Sequence, residues 1–140
     1  MSNKEKFEVF KQKLINENES KYGSEIREKY GEAAVDQSNI KIKGMTEEQM
    51  EEAENLSNAI AVSLKDAIQQ GDPMGELAQK ACDLHRRWLC FFWPEGQYSK
   101  EAHMNIGNMY CNDARFKAYY DNIMQGCAEF LRDALEVYCK

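Results

Sequence analysis

The segment WLCFFW, from Trp88 to Trp93, restricts the fold of this chain more than any other part of the sequence. It closes a helical pattern that contains Leu84, and Pro94 follows it directly. Consecutive residues of an α-helix are about 100° apart, so this apolar run points in every direction around the helix axis. Its side chains cannot all face one core. Some of them must therefore contact a second layer of the protein or line a cavity.

The rest of the sequence predicts an all-α protein, because no segment keeps the alternating pattern of a strand. Thr46 and Gln49 form a capping box at the start of the clearest helix, and Gly71 follows its end. Further helices are predicted after their capping residues. These are Asp72 with Pro73 in the first turn, Ser99, and Asn112-Asp113, and a last helix runs through Leu131 and Leu135.

The helices predicted in residues 1–44 each carry fewer apolar side chains than those predicted in residues 45–140. The amino-terminal helices are short and interrupted by glycines, and each has a narrow apolar stripe: Phe7, Phe10 and Leu14 in one, Tyr22, Ile26 and Tyr30 in another. A short helix with a narrow stripe is not stable alone in water. We therefore expect one domain over residues 1–140, in which residues 1–44 pack over a main helical body formed by residues 45–140.

Charge and hydropathy exclude two classes of partner. The net charge of −6 and a pI near 5.0 argue against nucleic acid, because binding phosphates requires clustered Lys and Arg. No apolar run is long enough to span a membrane, and the charged amino-terminus is unlike a signal peptide. The five cysteines are irregularly spaced, which is typical of reduced thiols. We expect a cytoplasmic protein that binds neither nucleic acid nor membranes.

The residues alone leave three interpretations of the aromatic region open: a helical core, a metal or haem site, and a pocket for a flat organic molecule. A core explains only some of the rings. Cys82 and His85 could form one ligand pair, with His103 on a later helix, but the second close pair of a structural zinc site is missing. Neither a phosphate-binding loop nor a nucleophile motif is present. We therefore expect neither a cofactor nor enzymatic activity.

The order of motifs in this region resembles the TipAS family. The similar segments are HRRWLCFFWP, YSKEAH, IGNMYCNDARFKAYYD and GCAEFLRDAL, with KFEVF, EIREKYG and SNIKIKGMTEEQ before them. The resemblance implies an all-helical, globin-like fold without haem. It also implies the function of a drug-recognition domain of MerR-type transcription activators, which binds thiopeptides or other bulky antibiotics in a deep cleft. Mobile leading helices close over the ligand in this family.

Two departures from the family pattern matter. The winged helix and the long coiled coil of a MerR regulator are absent, so we expect a stand-alone effector domain or a part cut from a longer chain. Thiopeptide-responsive members can also carry a cysteine two positions after the histidine that corresponds to His103, and it adds to a dehydroalanine of the drug. Here that position is Asn105. Asparagine cannot form this bond, so we expect reversible binding.

Together, the aromatic run and the resemblance predict a pocket between the helix of Trp88 and the helix of His103, covered by residues 1–44. Rings would stack on the ligand while a few polar groups orient it. The predicted ligand-binding residues are Trp88, Phe92, Trp93, Tyr98, His103, Asn105 and Gly107. Close helix packing explains Gly107 equally well. The alternative function is a protein-interaction module whose apolar groove takes a helix of a partner protein.

Overall fold

The computed structural model of the chain describes residues 2–18 and 32–140. Within these ranges the protein has seven helices and no strand, which confirms the all-α prediction for this part of the chain. The helices are α1 (Asn3–Asn18), α2 (Glu32–Lys43), α3 (Glu47–Gln70), α4 (Glu76–Phe92), α5 (Lys100–Asn112), α6 (Ala114–Ile123) and α7 (Cys127–Tyr138). None of them has the length and hydropathy needed to cross a membrane. The predicted stripe of Tyr22, Ile26 and Tyr30 lies outside the described residues.

Local capping sets several of the helix ends, as the sequence predicts. The Thr46 side chain accepts a hydrogen bond from the Gln49 backbone N–H, and the Gln49 side chain accepts one from the Thr46 N–H. Gly71 ends this helix in the left-handed conformation, with φ of 78°, which glycine adopts without a steric cost. Ser99 and Asp113 likewise cap α5 and α6 with their side chains.

The predicted start of α4 is wrong. Asp72 and Pro73 lie in a turn, and the helix begins only at Glu76. The Asp72 carboxylate accepts a hydrogen bond from the Met74 N–H, and the Asp72 carbonyl accepts one from the Gly75 N–H. These bonds close a turn on the aspartate, so its side chain serves the turn and not a helix that starts at the proline.

The main core lies among α3, α4, α5, α6 and α7, with α3 packed along α4 and α7 against α4, α5 and α6. Leu64, Leu131 and Leu135 are its largest fully buried aliphatic side chains. Burying one such side chain contributes roughly 1.5–3 kcal/mol relative to exposing it. These leucines therefore stabilise the part of the chain that supports the aromatic run.

A second, smaller apolar cluster joins the amino-terminal helices to this body. It contains Ile15 of α1, Ile42 of α2, Met45 and Ala53, and the rings of Phe91 and Phe92 pack against it. Trp88 and Trp93 pack against the main core instead, and Leu89 is buried. The apolar run at the end of α4 thus contacts two layers of the protein, as its length requires.

A chain of hydrogen bonds between buried side chains crosses the body from α5 to α4 and back. His103 Nε2 lies 2.8 Å from His85 Nδ1, and both histidines are fully buried. The hydroxyl of Tyr98 lies 2.7 Å from His103 Nδ1, and the hydroxyl of Tyr110 lies 3.2 Å from His85 Nε2. A neutral imidazole has one N–H and one acceptor nitrogen, so two neutral histidines satisfy every bond of this chain.

Burial and mutual proximity keep both imidazoles neutral. Burial, together with a smaller effect from the neighbouring His103, lowers the pKa of His85 to about 3. Burial likewise lowers the pKa of His103 to about 4, with a smaller effect from the cationic Arg86. Because burial penalises the charged form of either ring, the folded protein binds a proton on these histidines only well below their ordinary pKa.

The protein should therefore lose stability on acidification already at pH values above those at which carboxylates bind protons. In the unfolded chain the histidines bind protons near pH 6.5, whereas in the folded chain they do so only near the lowered values. The unfolded state then binds more protons below pH 6.5, so the free energy of unfolding falls as the pH falls. The expected slope is about 1.4 kcal/mol per pH unit for each histidine, measurable by urea unfolding between about pH 7.5 and 5.

The sequence contains only two histidines, which makes a clean control possible. The variant His85→Gln/His103→Gln has no group with an ordinary pKa near 6.5 on a side chain, so its stability should be flat over this pH interval, whatever its absolute value. A wild-type protein with a flat profile would show that the histidines accept protons in the folded state.

Candidate ligand-binding clefts

The carboxyl-terminal half of α4 separates two open clefts, and each cleft has one amino-terminal helix as its opposite wall. The first, which we call the α1 cleft, has a volume of about 550 Å³. Its walls are Phe7 and Phe10 of α1, Trp88 and Phe92 of α4, and a face of α3 that comprises Glu47, Met50, Glu51, Ala53, Glu54 and Ser57. This volume lies in the range of small-molecule sites in proteins.

The second, the α2 cleft, has a volume of about 640 Å³. It lies between α2 and the segment that follows α4. Its walls are Gln37, Ile40 and Lys41 of α2, then Cys90, Trp93, Pro94, Glu95, Gly96 and Tyr98. One cleft therefore contains Trp88 and the other contains Trp93, because the two indoles project from different sides of the end of α4.

Two side chains of α2 hold this helix against the last carbonyl groups of α4. The Lys41 ammonium donates to the carbonyls of Cys90 and Trp93, at 2.8 Å for the latter, and the Ser38 hydroxyl donates to the carbonyl of Phe92. The last carbonyls of a helix lack partners within the helix and carry partial negative charge. A cation at this position satisfies them, so polar contacts attach α2 to α4 in addition to the small apolar cluster around Ile42.

A second lysine attaches α1 to the end of α2 in the same way. The ammonium of Lys11 donates to the carbonyls of Lys43 and Met45, at 2.9 Å for the latter, and forms an ion pair of 3.1 Å with Glu8. Lys11 is only 2% exposed. Since a buried ammonium requires such partners, this contact fixes the position of α1.

Four of the predicted site residues line the clefts, and their rings are in contact in pairs. Trp88 and Phe92 lie in the α1 cleft with ring centroids 5.0 Å apart. Trp93 and Tyr98 lie in the α2 cleft with centroids 6.1 Å apart. These distances are typical of packed aromatic pairs, so each cleft presents a two-ring surface that is already ordered.

The three predicted residues on α5 line neither cleft. His103 is buried and bonds His85 directly, and neither cleft extends between the two helices at this point. Asn105 is exposed on the surface of α5. Gly107 is buried against α7, where an added Cβ would lie 2.7 Å from Leu135 Cδ1, so the glycine permits close packing of these helices.

The cysteines differ in their surroundings. Burial raises the pKa of Cys82 to about 12 and that of Cys127 to about 12, so both stay as thiols. Cys90 is half-buried and is the cysteine that contributes to a cleft wall among the described residues. Within residues 2–18 and 32–140, no group of three or more His, Cys, Asp or Glu side chains could hold a metal ion.

The sequence predicted that residues 1–44 cover the pocket, but not which residues of α1, α2 and α3 form the cleft walls. Phe7 and Phe10 carry a usable signal, because an apolar pair on a polar helix needs a partner surface. Glu47, Glu51 and Glu54 carry another, because their spacing places three carboxylates on one face of α3. No signal in the sequence indicates the role of Lys41, since that role depends on where α2 meets α4.

Comparisons with known proteins agree with this architecture. Residues 22–138 match the family of the TipAS antibiotic-recognition domain. The HTH-type transcriptional activator TipA of Streptomyces coelicolor is 33% identical over 136 residues, covering 94% of this chain and 50% of that protein. The HTH-type transcriptional activator mta of Bacillus subtilis is 25% identical over 147 residues, covering 99% and 53%. The chain thus spans about half the length of the curated relatives that it matches.

A solved structure supports the same assignment. The structure of TipAS of Streptomyces lividans in complex with nosiheptide superposes with a TM-score of 0.64 at 29% sequence identity, covering 99% of this chain and 94% of that one. The family is defined by recognition of a ligand and not by catalysis. The chain belongs to the TipAS family of antibiotic-recognition domains.

Proposed function

We propose that this domain binds a bulky, partly aromatic antibiotic such as a thiopeptide in the α1 and α2 clefts. The observation that carries the proposal is the position of the end of α4, which presents Trp88 and Phe92 to one cleft and Trp93 and Tyr98 to the other. A ligand that reaches both clefts would stack on both ring pairs. The relative TipAS of Streptomyces lividans binds nosiheptide, a compound of this class.

His103, Asn105 and Gly107 have indirect roles in this proposal. His103 positions the Tyr98 hydroxyl, which lies 2.7 Å from its Nδ1, and so fixes one wall of the α2 cleft. Gly107 lets α5 approach α7 and supports the helix that carries His103. Asn105 has an amide where thiopeptide-responsive members can carry a thiol, so capture of the ligand is reversible.

Residues 1–44 act as a cover in this proposal, and residues 45–140 as the body that it covers. Helices α1 and α2 form the outer walls of the clefts, and each is attached through a lysine that donates to carbonyl groups. Such polar contacts can be exchanged for contacts with water, and the apolar cluster that accompanies them is smaller than the main core. The cover can therefore open for a large ligand without unfolding the main core.

The biological role follows from the family. The domain senses or sequesters an antibiotic in the cytoplasm, and in a longer protein it would report the ligand to a MerR-type DNA-binding half. The arrangement of its helices is globin-like without haem. The alternative is a protein-interaction module whose apolar groove takes a helix of a partner protein. An antibiotic should quench the tryptophan fluorescence at low stoichiometry, whereas a partner helix need not.

Nosiheptide should quench the fluorescence of the two tryptophans, one in each cleft, and reach saturation at one ligand per chain. Trp88→Phe and Trp93→Phe each leave a single emitter, and both should still be quenched because the ligand reaches both clefts. Phe92→Ala should weaken binding about tenfold through the loss of one stacking ring. The control is Tyr119→Ala, since Tyr119 is 58% exposed and lines neither cleft. Equal nosiheptide affinities of the Phe92→Ala and Tyr119→Ala variants would contradict the proposed site.

A dehydroalanine-bearing thiopeptide should leave no covalent adduct on the protein. Addition requires a thiolate, which the family position lacks because it is Asn105, while burial raises the pKa of Cys82 and Cys127. Intact-mass spectrometry under denaturing conditions after incubation tests this expectation. An adduct that maps to Cys90, the thiol in the α2 cleft wall, would overturn reversible capture and make Cys90 the nucleophile.

Amide exchange should be faster in α1 and α2 than in α3 when no ligand is present, because Ile15 and Ile42 are the buried apolar side chains that these two helices contribute. Lys41→Met should speed exchange in α2 further and leave α3 unchanged. Lys43→Met is the matched control, because the side chain of Lys43 is exposed. Uniform protection across all three helices would show that α1 and α2 are ordinary core elements and not a cover.

A further inference from the structure

One wall of the α1 cleft carries several negative charges. Glu47, Glu51 and Glu54 lie on the face of α3 that forms one of its walls. Glu47 is in the first turn of α3, where a carboxylate also stabilises the helix dipole, but Glu51 and Glu54 lie beyond that turn. A helix-capping role therefore accounts for only one of the three carboxylates.

These carboxylates are not neutralised within the described part of the chain. None of the ion pairs among residues 2–18 and 32–140 includes Glu47, Glu51 or Glu54. The ammonium of Lys11 on α1 lies 4.8 Å from the centroid of the Phe7 ring. Lys11 is buried, however, and its ammonium forms an ion pair with Glu8. The wall of the cleft thus keeps its negative charge.

The other walls of the same cleft are aromatic. Phe7 and Phe10 of α1 face it, with Phe10 52% exposed, and Trp88 and Phe92 of α4 lie on the remaining side. The face of an aromatic ring is electronegative and attracts a cation at short range. A nearby carboxylate also attracts a cation, and its attraction acts over a longer distance. Rings combined with carboxylates favour a large apolar cation over a neutral or anionic molecule of the same shape.

We propose that the α1 cleft selects lipophilic cations, or the cationic group of a larger aromatic antibiotic. This inference rests on the proposed function in that it assigns a charge preference to one of the two clefts. The α2 cleft differs, because it combines Lys41 with Glu95 and so has no net excess of one charge among its ionised side chains. A ligand that spans both clefts would therefore place its cationic part against α3.

Tetraphenylphosphonium and tetraphenylborate test the charge preference directly, since they share one shape and carry opposite charges. Calorimetric titration in a sodium buffer at low ionic strength should give the phosphonium an affinity at least about tenfold above that of the borate. The ratio should shrink as salt is added, because the carboxylates are exposed at the cleft wall. Equal affinities, or a preference for the borate, would overturn the inference.

Paired variants separate the α1 cleft from the charge of the whole protein. Glu51→Gln/Glu54→Gln should remove most of the preference, and circular dichroism should confirm that α3 is intact. Glu48→Gln/Glu52→Gln is the matched control, because it removes the same charge from exposed positions of the same helix outside the cleft. A loss of preference in both variants would attribute it to net charge and would sink the cleft assignment.

The outcome with nosiheptide keeps the two proposals distinct. Binding of nosiheptide without a preference for the phosphonium would contradict the charge inference and leave antibiotic recognition in place. A phosphonium preference that depends on Glu51 and Glu54, without binding of nosiheptide, would support the charge inference and contradict the thiopeptide assignment. Absence of binding by all three probes would overturn both.

Discussion

The hydrogen bond between His85 and His103 is the interaction on which the arrangement of the clefts depends. It joins α4 to α5 at the point where the apolar run begins, and Tyr98 extends it into the wall of the α2 cleft. Both imidazoles are buried and neutral, and each of their ring nitrogens has a hydrogen-bond partner within the chain. The contact fixes the rotation of α4 about its axis, and this rotation sends Trp88 and Trp93 to different clefts.

In the proposed function, a packed helical body with partly polar attachment of α1 and α2 suits a domain that admits a large ligand. The aromatic rings on α4 are held by the main core and by neighbouring rings, so their surface is ordered before the ligand arrives. The helices opposite them are held by Lys11 and Lys41 on carbonyl groups. If α1 and α2 close over a ligand as we propose, stacking energy is used for that closure and not to assemble the stacking surface.

The sequence predicted what depends on near neighbours and missed what depends on distant ones. The caps at Thr46, Ser99 and Asp113 use residues two or three positions away, so their pattern is visible in the sequence. The Asp72-Pro73 turn shows that even a local signal is ambiguous, because one aspartate can cap a helix or close a turn. The direct contact of His85 with His103 and the attachment of Lys41 to α4 depend on how helices meet, which periodicity does not encode.

We propose that ligand is held between the end of α4 and the helices α1 and α2. The decisive experiment is a crystal structure of this chain in complex with nosiheptide. We expect ligand density in contact with Trp88 and Phe92 on one side and Trp93 and Tyr98 on the other, with α1 and α2 folded over it. Density on the exposed face of α5 around Asn105, with both clefts empty of ligand, would contradict it.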